Sequence, residues 1–380
     1  MMKGLERAKR LYQERGFRAG ELKGEGKKII GYVCAFPPVE LITAAGLVPY
    51  RITGTMEPVT EADAYLETLM CPYVRSSLDQ ALKGRYAFLD GMVWPHTCDN
   101  IQKTFDIWKY YVPHTYFHYL DVPHMSDPDS FEFFTKEIGV FRESLEEYAG
   151  VKVSDEALIK AIGLHNRNRA LLRELSGLRK QEPPLLSGAE MTQVVIAVLT
   201  LPVEEANELL VDTIADVKGR GQGSPKRQTR LLIHGCELDD VAFINMVEES
   251  GGNVVIDDLC IGTRYYRKDV ETAGDPMRNL ADHYLGNIMC PRTFRRALGS
   301  REEDLKNRFG HIADLAREYS VDGAILYIIR YCDTFEFDAP DVRDYLVQGG
   351  IPVLHIEDDY SLTSIQGYRT RVQAFLEMMA

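Results

Sequence analysis

Short apolar runs alternate with helix-patterned stretches in two separate blocks of the chain, and this restricts the fold more than any other feature. In the first block, KKIIGYVCAF (27–36) and GLVPYRI (46–52) flank a helix-like PPVELITAAG. FLDGMVWP (88–95) and HTYFHYLDVP (114–123) follow, separated by CDNIQKTFDIWKYY, which has helical spacing. The second block contains TRLLIHG (229–235), NVVIDDLC (253–260), GAILYIIR (323–330) and PVLHIEDDY (352–360), again with helical patterns between them. Strands that alternate with helices pair in parallel and carry the helices on the faces of the sheet. The stretch between the blocks is helical. SFEFFTKEIGVFRESLEEYAG (130–150) has one apolar stripe and stops at Gly150, a candidate C-cap. Ser154 can cap the next helix, and Ser187 and Glu190 have capping-box spacing. The predicted fold is α/β: two doubly wound, flavodoxin- or Rossmann-like parallel-sheet domains (1–125 and 226–380) joined by a helical region (126–225). The Gly-rich, basic segment 218–230 reads as a linker.

At 380 residues the chain exceeds one ordinary core, and 45% apolar with 27% charged residues is a globular composition. A net charge of −13 argues against nucleic acid as the main partner, because a phosphate backbone needs a basic footprint. There is no uninterrupted apolar run of about 18 residues, so no membrane association is expected. The opening MMKGLERAKRLYQERG is charged and lacks the apolar run of a secretory signal, and a cytoplasmic location is the expectation. GRGQG (219–223) precedes a strand instead of opening a helix, and GxxxxGK[ST] is absent, so no nucleotide site is expected in this chain.

Seven cysteines, an odd number without any CxxC pair, speak against both a disulfide framework and a zinc ribbon. Cys71 opens a helix that has Pro72 in its first turn, where a thiol is favoured as thiolate. LDGMVWPHTCD (89–99) and VDGAILYIIRYCD (321–333) share a frame of Asp-Gly, an apolar run and Cys-Asp. That frame puts Cys98 and Cys332 just beyond the carboxyl end of a strand, where open parallel sheets carry their ligand sites. Three such thiolates suit a [4Fe–4S] cluster assembled by the fold, and buried, inert thiols are the competing reading. Cys34 and Cys260, in strand-like runs, read as core packing. Cys236 and Cys290 are candidates for positions beside a cluster. Glu357 and Tyr360, at the end of a predicted strand, read either as substrate-pocket residues or as part of a solvated acidic loop. His96 and His114 read as structural or solvent-facing.

MCPYVRSSLDQAL, HTCDNIQK and YCDTFEFD, in this order and at these separations, resemble the cysteine motifs of the 2-hydroxyacyl-CoA dehydratase and benzoyl-CoA reductase family. ELITAAGLVPYRITG, TAGDPMRNLA and RTRVQAFLEMM are also similar to that family, so the resemblance spans nearly the whole chain. It is nearest to the smaller subunits, the dehydratase β-subunit and the benzoyl-CoA reductase C-subunit. The resemblance implies a [4Fe–4S] cluster on Cys71, Cys98 and Cys332, with a double-cubane [8Fe–9S] cluster as the variant of homodimeric relatives. It implies a homologous second subunit, an ATP-hydrolysing iron–sulfur activator protein and an acyl-CoA substrate. Two activities follow from it: radical elimination of water (syn or anti) from a 2-hydroxyacyl-CoA, or reduction of an aromatic ring to a cyclic dienoyl-CoA. TAGDPMRNL leans to the reductases and YCDTFEFDAPDVRDYL to the dehydratases. A metal-free α/β binding protein with buried thiols is the reading from outside this class.

Overall fold

A computed structural model describes residues 3–221, 229–295 and 299–379. All eight predicted strands are present: β1 (Ile29–Tyr32), β2 (Val48–Arg51), β3 (Gly91–Pro95), β4 (Tyr116–Leu120), β5 (Thr229–Gly235), β6 (Gly252–Asp258), β7 (Gly323–Ile329) and β8 (Val353–Asp358). They form two four-stranded sheets, ordered β2-β1-β3-β4 and β6-β5-β7-β8, and every pairing is parallel. This is the doubly wound α/β architecture that the alternating sequence predicts. Both orders step outward from the first strand of each block and reverse direction there, so each sheet has a crevice at the carboxyl ends of its central strands.

β1, β3, β5 and β7 are the inner strands, buried along their whole length, as parallel strands covered on both faces must be. Gly235 closes β5 where the backbone of β7 comes very near: a Cβ there would sit 1.7 Å from the Tyr327 carbonyl oxygen. Only glycine permits that approach, which seats the residue after it, Cys236, against β7.

The helical stretch between the sheets is built as its sequence signals dictate. Asp127 accepts from the Ser130 amide to start the helix Pro128–Ala149, which ends at Gly150 in the left-handed region (φ 70°). Ser154 caps Asp155–Gly177, and Ser187 with Glu190 forms a complete capping box on Gly188–Val198. Each cap contributes about 1 kcal/mol. The linker reading of 218–230 falls mostly outside the described residues; Lys218 and Gly219 still belong to the helix Val203–Gly219, and Thr229 already belongs to β5. No helix among the described residues is long and apolar enough to cross a membrane.

A buried ion pair ties this helical stretch to the first sheet. Glu40, on the helix Val39–Ala44, accepts from Arg169 on Asp155–Gly177 at 2.5 Å, with both side chains fully buried. Its second oxygen accepts from the Tyr284 hydroxyl at 2.7 Å. Tyr284 lies in the π-helical turn Asp282–Asn287, so one carboxylate joins three distant segments. Burial alone would raise the Glu40 carboxyl, but Arg169, with His165 and His283, outweighs it and holds the pKa at about 2. A depressed carboxylate contributes stability that is complete above its unfolded value of 4.5 and is lost as pH falls towards 2. His165, held neutral by burial with a pKa near 4, acts in the same direction below 6.5. We expect urea unfolding to show stability falling between pH 4.5 and 2, by a Glu40 share of order 3 kcal/mol. Glu40→Gln should flatten that fall and destabilise the protein at pH 7 by about 3–5 kcal/mol, because Arg169 is left buried without a counter-charge.

Candidate functional site: a cavity lined by seven thiols

Parallel strands all present their carboxyl ends on one edge of a sheet, and the cysteines of this chain gather there. Cys34 follows β1, Cys98 follows β3, Cys236 follows β5, Cys260 follows β6 and Cys332 follows β7. Cys71, before the helix Pro72–Leu82, and Cys290, in the loop after the π-helical turn, complete the set. All seven line one mostly apolar cavity of about 70 Å³, together with Glu237, Arg292 and side chains such as Ile101, Ile329 and Phe335. The cavity is therefore built from the carboxyl-end loops of both sheets.

Cys71, Cys98 and Cys332 hold equivalent local positions. Each is the residue immediately before a helix: Pro72–Leu82, Asp99–Tyr111 and Asp333–Gln348. The turn before the last of these is strained, with Tyr331 (φ 64°) in the left-handed region that non-glycine residues avoid, a conformation that Cys34 (φ 61°) shares after β1. Such strain persists only where surrounding structure fixes it. Here Asn100 does part of the fixing. Its Oδ1 accepts from the Cys71 amide at 2.9 Å, and its Nδ2 donates to the Tyr331 carbonyl at 3.3 Å. One side chain, two residues after Cys98, thus holds the Cys71 and Cys332 loops together.

Electrostatics in the cavity follow from the burial of its thiols. Burial pushes the thiols of Cys34, Cys71, Cys236, Cys260 and Cys290 up, and that of Cys98 up to about 12. For Cys71 the sulfurs of Cys332 and Cys98 add to the effect, while the first-turn amides of Val74 and Tyr73 oppose it. Cys332 alone moves down, because its sulfur is hydrogen-bonded by Cys236. Cys236 in turn accepts from the Ile329 amide at 3.1 Å, and Cys260 receives Arg264 at 3.5 Å.

The cofactor expectation is corrected by this geometry. Among the described residues, no group of three or more histidine, cysteine, aspartate or glutamate side chains is placed to hold a metal ion. Neither the [4Fe–4S] nor the [8Fe–9S] expectation is met. Three of the sulfurs, those of Cys236, Cys260 and Cys332, are instead engaged by protein donors. The sequence places the cysteines around one space without arranging a ligand set.

Two candidate residues lie elsewhere. Glu357 accepts from Arg330 at 2.6 Å, with both side chains nearly half exposed, and does not line the thiol cavity. Tyr360 is buried and donates to Asp239 at 2.5 Å, close to Gly54. His96 pairs with Asp121 at 3.0 Å, and His114 accepts from Trp108 at 3.2 Å. Cys34 and Cys260, read from the sequence as core packing, line the cavity as well as packing in the core. Sequence reasoning passed over Glu237, although it directly follows Cys236 at a strand end. It is buried, one oxygen engages Arg51, and Oε2 has no hydrogen-bond partner among the described residues. Burial pushes its carboxyl up against the opposing pull of Arg51.

Asn100→Ala should leave the Cys71 amide and Tyr331 carbonyl unpaired and cost about 1–3 kcal/mol. Denaturant unfolding checks the loss. Faster alkylation of Cys71 and Cys332, with Cys260 unchanged, would show that the loosening is local.

Residues 34–379 match the family model for "2-hydroxyglutaryl-CoA dehydratase, D-component". The chain is 32% identical over 378 residues to the C-subunit of benzoyl-CoA reductase from Thauera aromatica, covering 97% of this chain and 96% of the relative. It is 27% identical to the (R)-phenyllactyl-CoA dehydratase beta subunit of Clostridium sporogenes, over 93% of this chain and 92% of that one. To the beta subunit of (R)-2-hydroxyglutaryl-CoA dehydratase from Acidaminococcus fermentans it is 24% identical, over 94% of each. Two parallel sheets, cysteines at their carboxyl ends and end-to-end similarity agree: the chain belongs to the 2-hydroxyacyl-CoA dehydratase and benzoyl-CoA reductase family and is an enzyme component of that general kind.

Proposed function

We propose that this chain is one of two homologous subunits of an enzyme that removes water from a 2-hydroxyacyl-CoA thioester. The family match across residues 34–379 is the observation that carries this reading. In the reaction proposed, an ATP-hydrolysing iron–sulfur activator protein delivers one electron to the thioester carbonyl. The ketyl radical expels the C2 hydroxyl as hydroxide, a proton leaves C3, and the electron is returned, giving an enoyl-CoA and water without net electron consumption.

The contribution assigned to this chain is the thiol-lined cavity. Cys71, Cys98 and Cys332 are proposed as its functional sulfurs, with Cys236 and Cys290 as neighbours. Glu237, the carboxyl group among the cavity-lining residues, is proposed to hold and move a proton through Oε2. About 70 Å³ is well below the roughly 300–1,000 Å³ of ordinary small-molecule pockets. The bulk of an acyl-CoA would therefore rest on the partner subunit, with a group of few atoms reaching this space.

The 32% identity to the benzoyl-CoA reductase C-subunit supports a second reading, reduction of an aromatic ring, in which electrons are consumed with product. Anaerobic co-expression with the homologous subunit and activator, followed by assays on 2-hydroxyacyl-CoA and benzoyl-CoA substrates, separates the two. Enoyl-CoA formed without electron consumption is the expected result. Cyclic dienoyl-CoA would establish the second reading, and neither product would refute both. Glu237→Gln should lower turnover by about 10²-fold with the circular dichroism unchanged; unaltered turnover would remove Glu237 from the chemistry.

A further inference from the structure

Cys290 and Arg292 form a wall between the thiol cavity and a second, larger one of about 310 Å³. The second cavity is also lined by His124, Thr293, Arg295, Arg308 and one carboxylate, Asp338. Its charge is unbalanced in a way that the chain's net charge of −13 makes unexpected. Arg308 is compensated by Asp338, by Asp341 at 3.3 Å and by Asp304 at 3.6 Å. Asp258, behind the neighbouring histidines, is already taken by Arg264, His234 and His311.

Arg292 and Arg295 have no carboxylate partner among the described residues. Arg292 is buried and spends all five N–H groups on the carbonyls of His96, Thr97, Val122 and Pro123 and on the Thr293 hydroxyl. Its guanidinium can therefore act on the cavity through charge alone. Arg295 is held by the carbonyls of Leu285, Gly286, Ile288 and Thr293 through Nη1 and Nη2. That leaves its Nε–H and one Nη1–H uncommitted. The Thr293 hydroxyl accepts from Arg292, and its own proton is free to be donated. A buried guanidinium and a half-buried one, neither with a counter-ion, are costly to hold side by side, and a neighbouring anion lowers that cost. Carbonyl oxygens satisfy hydrogen bonds but bring no net charge.

We propose that this cavity is an oxyanion-binding site that takes the carboxylate or phosphate group of a small metabolite, with Arg295 and Thr293 as donors and Arg292 as the fixed positive charge. The site is separate from the thiol cavity, and the proposal does not depend on the acyl-CoA reading.

Titrating the full chain with inorganic phosphate and, separately, with malonate, against chloride at constant ionic strength, tests the site by calorimetry and melting temperature. A saturable response to either ion, with a Kd in the millimolar range or tighter, is expected; the ion that binds better identifies the phosphate or the carboxylate source. Arg295→Gln should weaken binding at least tenfold. Met289→Glu, which sets a carboxylate in the cavity wall, should raise the melting temperature and abolish the response. If Arg295→Gln does not fold, the Met289→Glu result decides. No saturable response to either ion, or an undiminished response in these variants, overturns the proposal.

Discussion

A parallel strand can end at only one edge of its sheet, and in this protein two sheets turn those edges towards a common space. Every loop that leaves a central strand must then cross that space before its helix begins. Residues at those crossings are brought together across up to about 300 positions of sequence, as Cys34 and Cys332 are. The cavity is thus a consequence of topology first and of side-chain chemistry second. Gly235 and Asn100 serve that topology directly: one lets β5 close on β7, and the other fastens two crossing loops.

Much of this was legible in the chain. The eight apolar runs are the eight strands, and the capping residues Ser154, Ser187 and Gly150 act where their spacing predicts. The repeated Asp-Gly to Cys-Asp frame correctly places Cys98 and Cys332 just past β3 and β7. Sequence could not reveal that Cys34 and Cys260 share the same cavity, because a cysteine at a strand end looks like one within the strand. Nor could it reveal Glu237 or Arg292, whose roles arise from long-range contacts with Arg51 and with the carbonyls of residues 96–97 and 122–123. The expected cluster failed for a related reason. Motif order fixes which residues meet, but not how their side chains are arranged about the space they share.

Charge is handled differently in the two halves of the interior. Glu40 and Arg169 neutralise one another completely and join three segments. Around Cys290 the balance is left open, with Arg292 and Arg295 bonded to neutral carbonyls. A fold that compensates Arg169, Arg264 and Arg308 with carboxylates but leaves the buried Arg292 and the half-buried Arg295 without one has a deficit best filled from outside the chain.

The function proposed for this chain rests on seven sulfurs surrounding one small space. Limited alkylation of the native protein with iodoacetamide, read by mass spectrometry of intact and digested chains, tests that arrangement most directly. Cys332, whose thiol is shifted down, should react first, and the adduct should fill the cavity, so that natively folded chains carry one label among Cys71, Cys98 and Cys332. Natively folded chains labelled at two or three of these positions would show that the sulfurs lie in separate places and would contradict the account.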